Sequence, residues 1–320
     1  MKKLIDDVRL MIKVCNLYYL ENIGQQQIAA MLNISRPTVS RLLSSSKEQG
    51  IVKIQISDLD AIKHWELERQ LKERYGLKDV LIVDSMPTEE ETLNLLGTAT
   101  AKYLERTIKD DDIVGISMGS TLHRVISKLE RPNASNVTFV PLIGGMGQLR
   151  MELHSNNLAE SLSRKYNGRF VPLQAPARVS SLSVRRELMK EESIAAALRL
   201  GERADLSIVG IGYPNEKSSI KATGYFKENE VDSLVARHVT GEICMQFYDI
   251  HGESSPYKND NLVIGMPLHK LRKIPCSIGI AGGISKLQSI QGAIKGKYIN
   301  VLITDFDCAN ALINSPGGDA

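Results

Sequence analysis

The sequence of 320 residues predicts an α/β protein: a small helix-turn-helix head followed by a Rossmann-like domain built on a parallel sheet. Two short amphipathic helices lie near the N-terminus, and beyond residue 76 short apolar runs alternate with segments of helical period. Buried strands that alternate with helices are typical of a parallel sheet covered on both faces. We therefore predict a head at 1–58, a linker helix at 59–76 and an α/β domain at 77–320.

The composition is that of a globular protein of the reducing cytoplasm. No apolar run reaches about 18 residues, so we expect no membrane span. Asp6 and Asp7 interrupt the N-terminal stretch, which is therefore read as mature protein and not as a signal peptide. The six histidines form no HExxH motif, and we expect neither a metal site nor a cofactor. The four cysteines are far apart and form no CxxC pair: Cys15, Cys244, Cys276 and Cys308.

The net charge of +3 lies entirely in the predicted head. Residues 1–58 hold eight Lys or Arg and five Asp or Glu, whereas residues 59–320 hold 32 of each. This division favours a head that binds an anionic partner, although an excess of three charges is weak evidence for it.

The segment QQQIAAMLNISRPTVSRLL at 25–43 predicts two short helices joined by a tight turn. Asn33 tolerates the left-handed backbone that such a turn requires. Ser35 is a good N-cap, and Pro37 in the first turn of the second helix loses no hydrogen bond. Ala29 is small where the helices should cross. This is the pattern of a helix-turn-helix.

The second helix presents hydroxyls and arginines outward, at Arg36, Thr38, Ser40 and Arg41. Such side chains reach phosphates and base edges in a DNA major groove. The alternative is an ordinary helical hairpin with a solvated polar face. A strand is expected after this helix, in GIVKIQISD at 50–58.

The segment 59–76 has the pattern of an amphipathic helix. Glu68 and Lys72 can pair one turn apart, and Gly76 is suited to end the helix. Trp65, the single tryptophan, could pack on the body or on another subunit.

The large domain is predicted to contain seven strands and five helices. The helix at 88–108 opens with a Thr88–Glu91 capping box. The strands are expected at 80–83, 113–117, 137–143, 206–212, 243–249, 277–283 and 300–305. The remaining helices are expected at 121–130, 153–166, 184–200 and 284–296.

Glycines follow several of these strands, where ligands of parallel sheets bind. They allow close approach of the backbone to a ligand, although glycines also end strands for purely structural reasons. They are Gly115, Gly119, Gly144, Gly145, Gly147, Gly210, Gly212, Gly282 and Gly283.

The stretch GISMGSTL at 115–122 admits two interpretations. Its first five residues fit G-x-S-x-G, which would make Ser117 a hydrolase nucleophile. That reading needs an acid and a histidine, such as Asp249 with His251 or His269, and no HGGG-type loop is present. The favoured interpretation is a phosphate-binding site, in which Gly119 permits a tight turn and Ser120 and Thr121 open a helix. Ser117 is counted with them among the residues expected to bind the ligand.

A second glycine loop supports the phosphate interpretation. In IAGGISKLQSI at 280–290, Gly282 and Gly283 separate a strand from a helix. Lys286 lies near the start of that helix and can add a full positive charge. Taken alone, Lys286 would be read as a surface lysine.

Together, the head, GISMGSTL, GEICMQFYDIHG, IGIAGGISKLQSIQGAI and NVLITD resemble the SorC family of bacterial regulators over nearly the whole chain. The resemblance implies an effector domain similar to sugar-phosphate isomerases and deaminases, a sugar or sugar-phosphate ligand, and dimers or tetramers. It implies an effector's phosphate at Gly119, Ser120 and Thr121. It implies closure of the site by Gly282, Gly283 and Lys286, and a further contact at Asp249.

Two positions depart from the family pattern. Many members have Trp where Met118 stands here. One related regulator has a Schiff-base lysine in an LKGG stretch, where this chain reads LIGG with Ile143. Covalent capture of an aldehyde sugar by that route is therefore not expected.

The sequence thus predicts a DNA-binding regulator of a carbohydrate operon, controlled by a sugar that carries a phosphate and acting without catalysis. The partners expected are operator DNA, the sugar effector and copies of the chain itself. The rival is an isomerase or deaminase-like enzyme fused to the head, with Asp249, Asp305 or His251 as the base. A metabolite-binding module whose head contacts protein is a third alternative.

Overall fold

A computed structural model describes most of the chain and divides it into two compact units, residues 1–62 and 63–320. None of the helices in its described part has both the length and the apolar character that crossing a membrane requires. The described residues are 7–54, 63–145, 150–213, 225–226 and 228–315.

The head contains the predicted pair of helices, α2 (Gln25–Met31) and α3 (Arg36–Glu48). Asn33 has a φ of 50°, and the Ser35 hydroxyl accepts the Thr38 N–H at 3.2 Å, so the predicted turn and cap are confirmed. Of the strand expected at 50–58, residues 50–54 form no strand and residues 55–58 lie outside the described residues.

An additional helix, which was not predicted, precedes this pair. It is α1 (Val8–Cys15), which continues as one π-helical turn at Asn16–Leu20. The Asp7 carboxylate caps α1 by accepting the N–H groups of Arg9 and Leu10. The five completely buried side chains of the three helices form the core of the head: Met11, Val14, Ile28, Val39 and Leu42.

The predicted linker helix is α4 (Trp65–Tyr75), which ends at Gly76 with a φ of 62°. Residues 55–62 lie outside the described part. Leu71 is buried in the core of the large unit, and the Tyr75 hydroxyl donates to the carbonyl of Leu312 at 2.8 Å. Trp65 is 58% exposed. Leu71, and not Trp65, therefore anchors α4 on the large unit.

The large unit is built on a parallel sheet of seven strands in the order β1-β9-β8-β5-β2-β3-β4. Each strand inside the sheet runs parallel to both neighbours, as predicted. The strands are β1 (Asp79–Val83), β2 (Ile113–Ile116), β3 (Thr138–Pro141), β4 (Arg169–Phe170), β5 (Leu206–Gly210), β8 (Cys276–Ile280) and β9 (Val301–Asp305).

Helices cover both faces of this sheet. Along β9, Val301 and Ile303 enter one core while Leu302 enters the other, as the alternation of a strand requires. The first core is covered by α5 (Glu89–Thr107), α6 (Ser120–Ser127) and α7 (Ser155–Lys165). The second is covered by α4, α10 (Glu228–Ala236), α11 (Leu268–Leu271), α12 (Leu287–Lys295) and α13 (Phe306–Asn314).

Two predicted elements are wrong in detail. The run 243–249 is not a strand of the main sheet but the end of an antiparallel hairpin, β6 (Gly241–Ile243) and β7 (Gln246–Tyr248). Its turn residues, Cys244 and Met245, both have positive φ, which reverses the chain after three residues. The helix expected at 184–200 is two helices, α8 (Leu182–Leu188) and α9 (Glu192–Glu202).

Candidate functional site

The carboxyl ends of β2 and β5 lie side by side where the sheet order changes direction. From β2 the chain continues through α6 towards β3 and β4 at one edge, and from β5 it continues towards β8 and β9. Helix α6 packs in the first core and α10 in the second. This topology predicts a crevice between the two strand ends, which is where parallel sheets bind ligands.

Ser117, directly after β2, connects these two strand ends by a hydrogen bond. Its side chain is buried, and its hydroxyl accepts the N–H of Gly210 at 3.2 Å. It also interacts with the thiol of Cys244 in the hairpin. Asp249 accepts the backbone N–H of His251 at 2.9 Å instead of orienting its ring. The Asp249–His251 dyad that a hydrolase would need is thus not formed.

Gly119 and the start of α6 form a candidate anion-binding site at the end of β2. Gly119 has a φ of 118°, which favours glycine, and it precedes the first residue of α6. No side chain caps this helix. Ser120 is exposed and Thr121 is partly exposed. The first N–H groups of α6, the helix dipole and two hydroxyls are therefore available to an anion.

The Gly282–Gly283 loop lies at the end of β8. Gly283 has a φ of 89°, and its N–H donates to the carboxylate of Asp305. A Cβ on Gly282 would stand 2.9 Å from Asp305 and 2.6 Å from Leu96, so a larger residue does not fit. The loop borders a cavity of about 260 Å³. Polar residues of that cavity include Ser85, Glu89, Thr92, Ser285 and Asp307.

Lys286 follows this loop and interacts electrostatically with Glu242, a buried carboxyl of β6. Glu242 is 5% exposed, and its Oε2 accepts the N–H of Met245 at 2.8 Å. Burial raises the pKa of Glu242 to about 7, against the effects of the Met245 hydrogen bond and the Lys286 charge. Burial also lowers the pKa of Lys286, which the Glu242 charge opposes. Each charge only partly offsets the desolvation of the other.

The end of β5 lies between the two glycine loops. Gly210 bonds to Ser117 on one side, and the N–H of Ile211 donates to the carbonyl of Ile280 on the other at 3.3 Å. Gly212 then pairs with Glu242 through two backbone hydrogen bonds. The ends of β2, β5 and β8 and the hairpin therefore meet at one edge of the sheet.

Glu242 was not among the predicted site residues. A signal was present, because GEICMQFY places one carboxyl inside a largely apolar run. A carboxyl on a buried strand is rare unless it has a partner or a function.

Asp249 lies at the far end of the same motif and is engaged in a turn. Its Oδ1 accepts the N–H groups of His251 and Glu253, at 2.9 and 2.8 Å. Its carbonyl packs against Gly292, near the C-terminal end of α12, whereas Lys286 precedes the N-terminus of α12. The structure thus brings Glu242, and not Asp249, to Lys286. A role of Asp249 in binding stays a prediction.

The described residues offer little for a metal. Among them, no group of three His, Cys, Asp or Glu side chains could hold a metal ion. All four cysteines are free thiols.

In the head, α3 carries the residues predicted to contact DNA. Arg36, Ser40 and Arg41 are exposed, while Val39 on the opposite face is completely buried. Thr38 is half-buried, and its hydroxyl lies 2.8 Å from that of Ser35. Three of the four side chains are thus free to reach a ligand, and Thr38 also supports the cap.

Comparisons with known proteins match both units. A sugar-binding domain family (Sugar-bind) matches residues 60–314, and a Crp-like helix-turn-helix domain matches residues 4–65. The sorbitol operon regulator of Klebsiella pneumoniae is 35% identical over 311 residues, 96% of this chain and 98% of that protein. The deoxyribonucleoside regulator of Bacillus subtilis is 35% identical over 313 residues, 96% and 97% of the two chains.

Solved structures match the fold as well. The crystal structure of the full-length sorbitol operon regulator SorC from Klebsiella pneumoniae has a TM-score of 0.74 at 35% identity, covering 97% of this chain and 100% of that chain. A DeoR family transcriptional regulator from Listeria monocytogenes has a TM-score of 0.73 at 28% identity, covering 78% and 99%.

The two domain matches and the full-length relatives define the class: a DNA-binding transcriptional regulator that joins a helix-turn-helix head to a sugar-binding domain. The chain belongs to the SorC family of these regulators.

Proposed function

We propose that the chain controls a carbohydrate operon and that a phosphorylated sugar, bound at the ends of β2, β5 and β8, sets its affinity for operator DNA. The observation that carries this proposal is the uncapped N-terminus of α6 after Gly119, on the same sheet edge as Lys286. The names of its relatives, regulators of sorbitol and deoxyribonucleoside genes, support a sugar as the ligand class.

The phosphate is placed at Gly119, Ser120 and Thr121. Helix N-termini bind phosphate because their first N–H groups lack partners and the dipole favours negative charge. The Thr121 hydroxyl adds a donor there. Ser117 contributes indirectly, because its bond to Gly210 fixes the crevice between the strands.

The sugar hydroxyls are placed between the Gly282–Gly283 loop and the hairpin. Two glycines allow the backbone to approach the ligand, and Lys286 donates hydrogen bonds. A Glu242 carboxyl with a pKa of about 7 can accept or donate a hydrogen bond near neutral pH. Asp249 is retained as a predicted contact of the effector.

On the DNA side, Arg36, Thr38, Ser40 and Arg41 are proposed to contact the operator. Exposed arginines on a recognition helix can bind guanine edges or phosphates. A single head binds weakly, and operators of this kind are read by paired heads about one helical turn apart. We therefore propose a homodimer or homotetramer that acts on DNA in the cytoplasm.

The chain is proposed to bind its sugar without transforming it. Of the three bases that an isomerase or deaminase could use, Asp249 and Asp305 are committed to backbone N–H groups. Glu242 is the one observation that favours the enzyme, since a carboxyl with a pKa of about 7 suits a general base. Turnover of the bound sugar phosphate would establish the enzyme.

Two measurements test the proposal. The melting temperature is recorded against a panel of pentose and hexose phosphates and their unphosphorylated sugars, because a ligand that binds only the folded state raises it. The operator affinity is then measured with and without the compound that gives the largest shift. A shift by one phosphorylated sugar, with a change in operator affinity and no loss of the compound, supports the regulator. Stabilisation only by unphosphorylated sugars would reject the proposed phosphate-binding site at Gly119, Ser120 and Thr121.

A further inference from the structure

The buried carboxylate of Asp305, at the end of β9, holds the Gly282–Gly283 loop. Asp305 is 1% exposed. Its Oδ2 accepts the N–H of Gly283, and its Oδ1 accepts the Ser85 hydroxyl at 2.8 Å and the Cys308 N–H at 3.2 Å. Within the described part of the chain no cation pairs with Asp305, so these donors are what stabilises its carboxylate.

The Ser85 hydroxyl connects Asp305 to the residues that precede α4. Ser85 follows Asp84, whose Oδ1 lies 2.7 Å from Lys63 Nζ and 2.7 Å from His64 Nε2. The Lys63 hydrogen bond, followed by that of His64, lowers the pKa of Asp84. Asp84 is therefore ionised near neutral pH and holds both partners.

An aromatic contact makes a second connection between the same places. Phe306 directly follows Asp305, and its ring lies against the His64 ring with centroids 5.1 Å apart and a tilt of 31°. The His64 side chain is 10% exposed. A displacement of Asp305 would thus reach His64 both through Ser85 and Asp84 and through Phe306.

Lys63 and His64 occupy a particular position in the chain. They are the first described residues of the large unit, directly before α4, and the segment towards the head precedes them in sequence. Hydrogen bonds are directional and packed rings do not interpenetrate, so a shift at one end changes the geometry at the other.

We infer that Asp305 is a positioning residue that couples the Gly282–Gly283 loop to Lys63 and His64, and so to the segment that leads to the head. Occupancy of the loop by the effector is thereby transmitted to the start of α4. This regulatory role rests on the proposed function.

The test uses the full chain without ligand and reads the fluorescence of Trp65, the single tryptophan, which is next to His64 and 58% exposed. Gly283→Ala strains the loop, because alanine disfavours a φ of 89°. The control, Gly119→Ala, introduces the same kind of strain at the other loop, where φ is 118° and an added Cβ meets no atom within 4 Å.

The expected result is a shift of Trp65 emission in Gly283→Ala and none in Gly119→Ala. The shift should disappear when Gly283→Ala is made in a Ser85→Ala/Phe306→Leu background, which removes both connections. The emission of that chain is compared with and without Gly283→Ala, so that any direct effect of Ser85→Ala and Phe306→Leu on Trp65 cancels. No shift in Gly283→Ala, or a shift that survives in that background, would overturn the coupling.

Hydrogen exchange gives a second measurement should Gly283→Ala not fold. The Ser85→Ala/Phe306→Leu chain is expected to exchange faster than the wild type both at 63–75 and at 281–287, and a change confined to one end would overturn the coupling. In operator binding, the same chain should retain the sugar phosphate found by melting but lose its effect on DNA affinity, which is about 5- to 150-fold for typical coupled sites. Failure of every sugar phosphate to bind would reject the proposed function, and the fluorescence result would still decide the coupling.

Discussion

The hydroxyl of Ser117 accepts the N–H of Gly210 at 3.2 Å and thereby joins the ends of β2 and β5, the two strands that flank the crevice. The same serine was also the candidate nucleophile of a G-x-S-x-G motif. Its role in the structure is to hold two strands together.

Ser117→Ala should therefore destabilise the protein by about 1–2 kcal/mol, because the N–H of Gly210 loses its acceptor in a largely buried place. Urea unfolding measures the change. The matched control is Ser127→Ala, whose exposed hydroxyl bonds to the Arg124 carbonyl at a helix end and should change stability by about 0.5 kcal/mol or less. Equal small effects of both substitutions would show that the Ser117 bond does not hold the strands.

Thr121→Val should abolish the effect of the sugar phosphate on DNA affinity while DNA binding without effector survives. Valine keeps the shape of threonine but removes the donor at the N-terminus of α6. The control is Thr107→Val, whose hydroxyl bonds to the Tyr103 carbonyl within α5. Operator titrations with and without the compound measure the effect. An unchanged response in Thr121→Val would place the phosphate elsewhere.

Lys286→Ala should also remove the response to the effector, and it should remove a positive charge that acts on Glu242. The control is Lys295→Ala, an exposed lysine at the last position of α12. Melting shifts with the same sugar phosphate compare the two variants. Similar ligand-induced shifts in the two variants would rule out a contact between Lys286 and the sugar.

Glu242 should make the stability of the wild-type protein fall as the pH rises from about 4.5 to about 7. In the unfolded chain the Glu242 carboxyl loses its proton with the ordinary pKa of 4.5, whereas in the folded protein it keeps the proton up to about pH 7. The difference corresponds to about 3 kcal/mol, lost progressively and complete above pH 7. Glu242→Gln should abolish this part of the decline in the free energy of unfolding, which is measured by urea unfolding at pH 5 and pH 8.

The control for this measurement is Glu192→Gln, because Glu192 is a largely exposed carboxyl at the start of α9. Its pH dependence should match that of the wild type. If Glu242→Gln also follows the wild type, Glu242 ionises near its ordinary pKa and the account of a buried neutral carboxyl fails.

Arg41→Ala should weaken operator binding by about 1–3 kcal/mol if the guanidinium binds a base edge. If it contacts only a phosphate, affinity should fall equally for all sequences and the slope of log affinity against log salt should decrease by about one. Arg199→Ala, an exposed arginine of α9 outside the head, is the control. Normal affinity and salt slope in Arg41→Ala would show that this arginine does not face DNA.

Local sequence patterns predicted those parts of the molecule that local interactions determine. Asn33, Ser35, Gly76 and the Thr88–Glu91 capping box act within a few residues of one another, and all adopt the expected conformations. The same holds for six of the seven strands of the main sheet, since continuous apolar runs are sufficient to identify buried strands. The short strand β4 has no such run and was not predicted.

Some of the parts that were missed depend on contacts between distant residues. The bond from Ser85 to Asp305 joins residues 220 positions apart, and no spacing in the sequence indicates it. The hairpin was misread because Cys244 and Met245 are not residues that usually take positive φ, so the turn carried no sequence signal. The approach of Lys286 to Glu242 likewise arises only when α12 packs against β6.

A crystal structure of the full chain with the sugar phosphate that changes its operator affinity tests the central claim most directly. The account predicts that the phosphate accepts hydrogen bonds from the first N–H groups of α6, with the Thr121 hydroxyl among its donors and the sugar directed towards Lys286 and Glu242. A phosphate bound away from Gly119, Ser120 and Thr121 would contradict it.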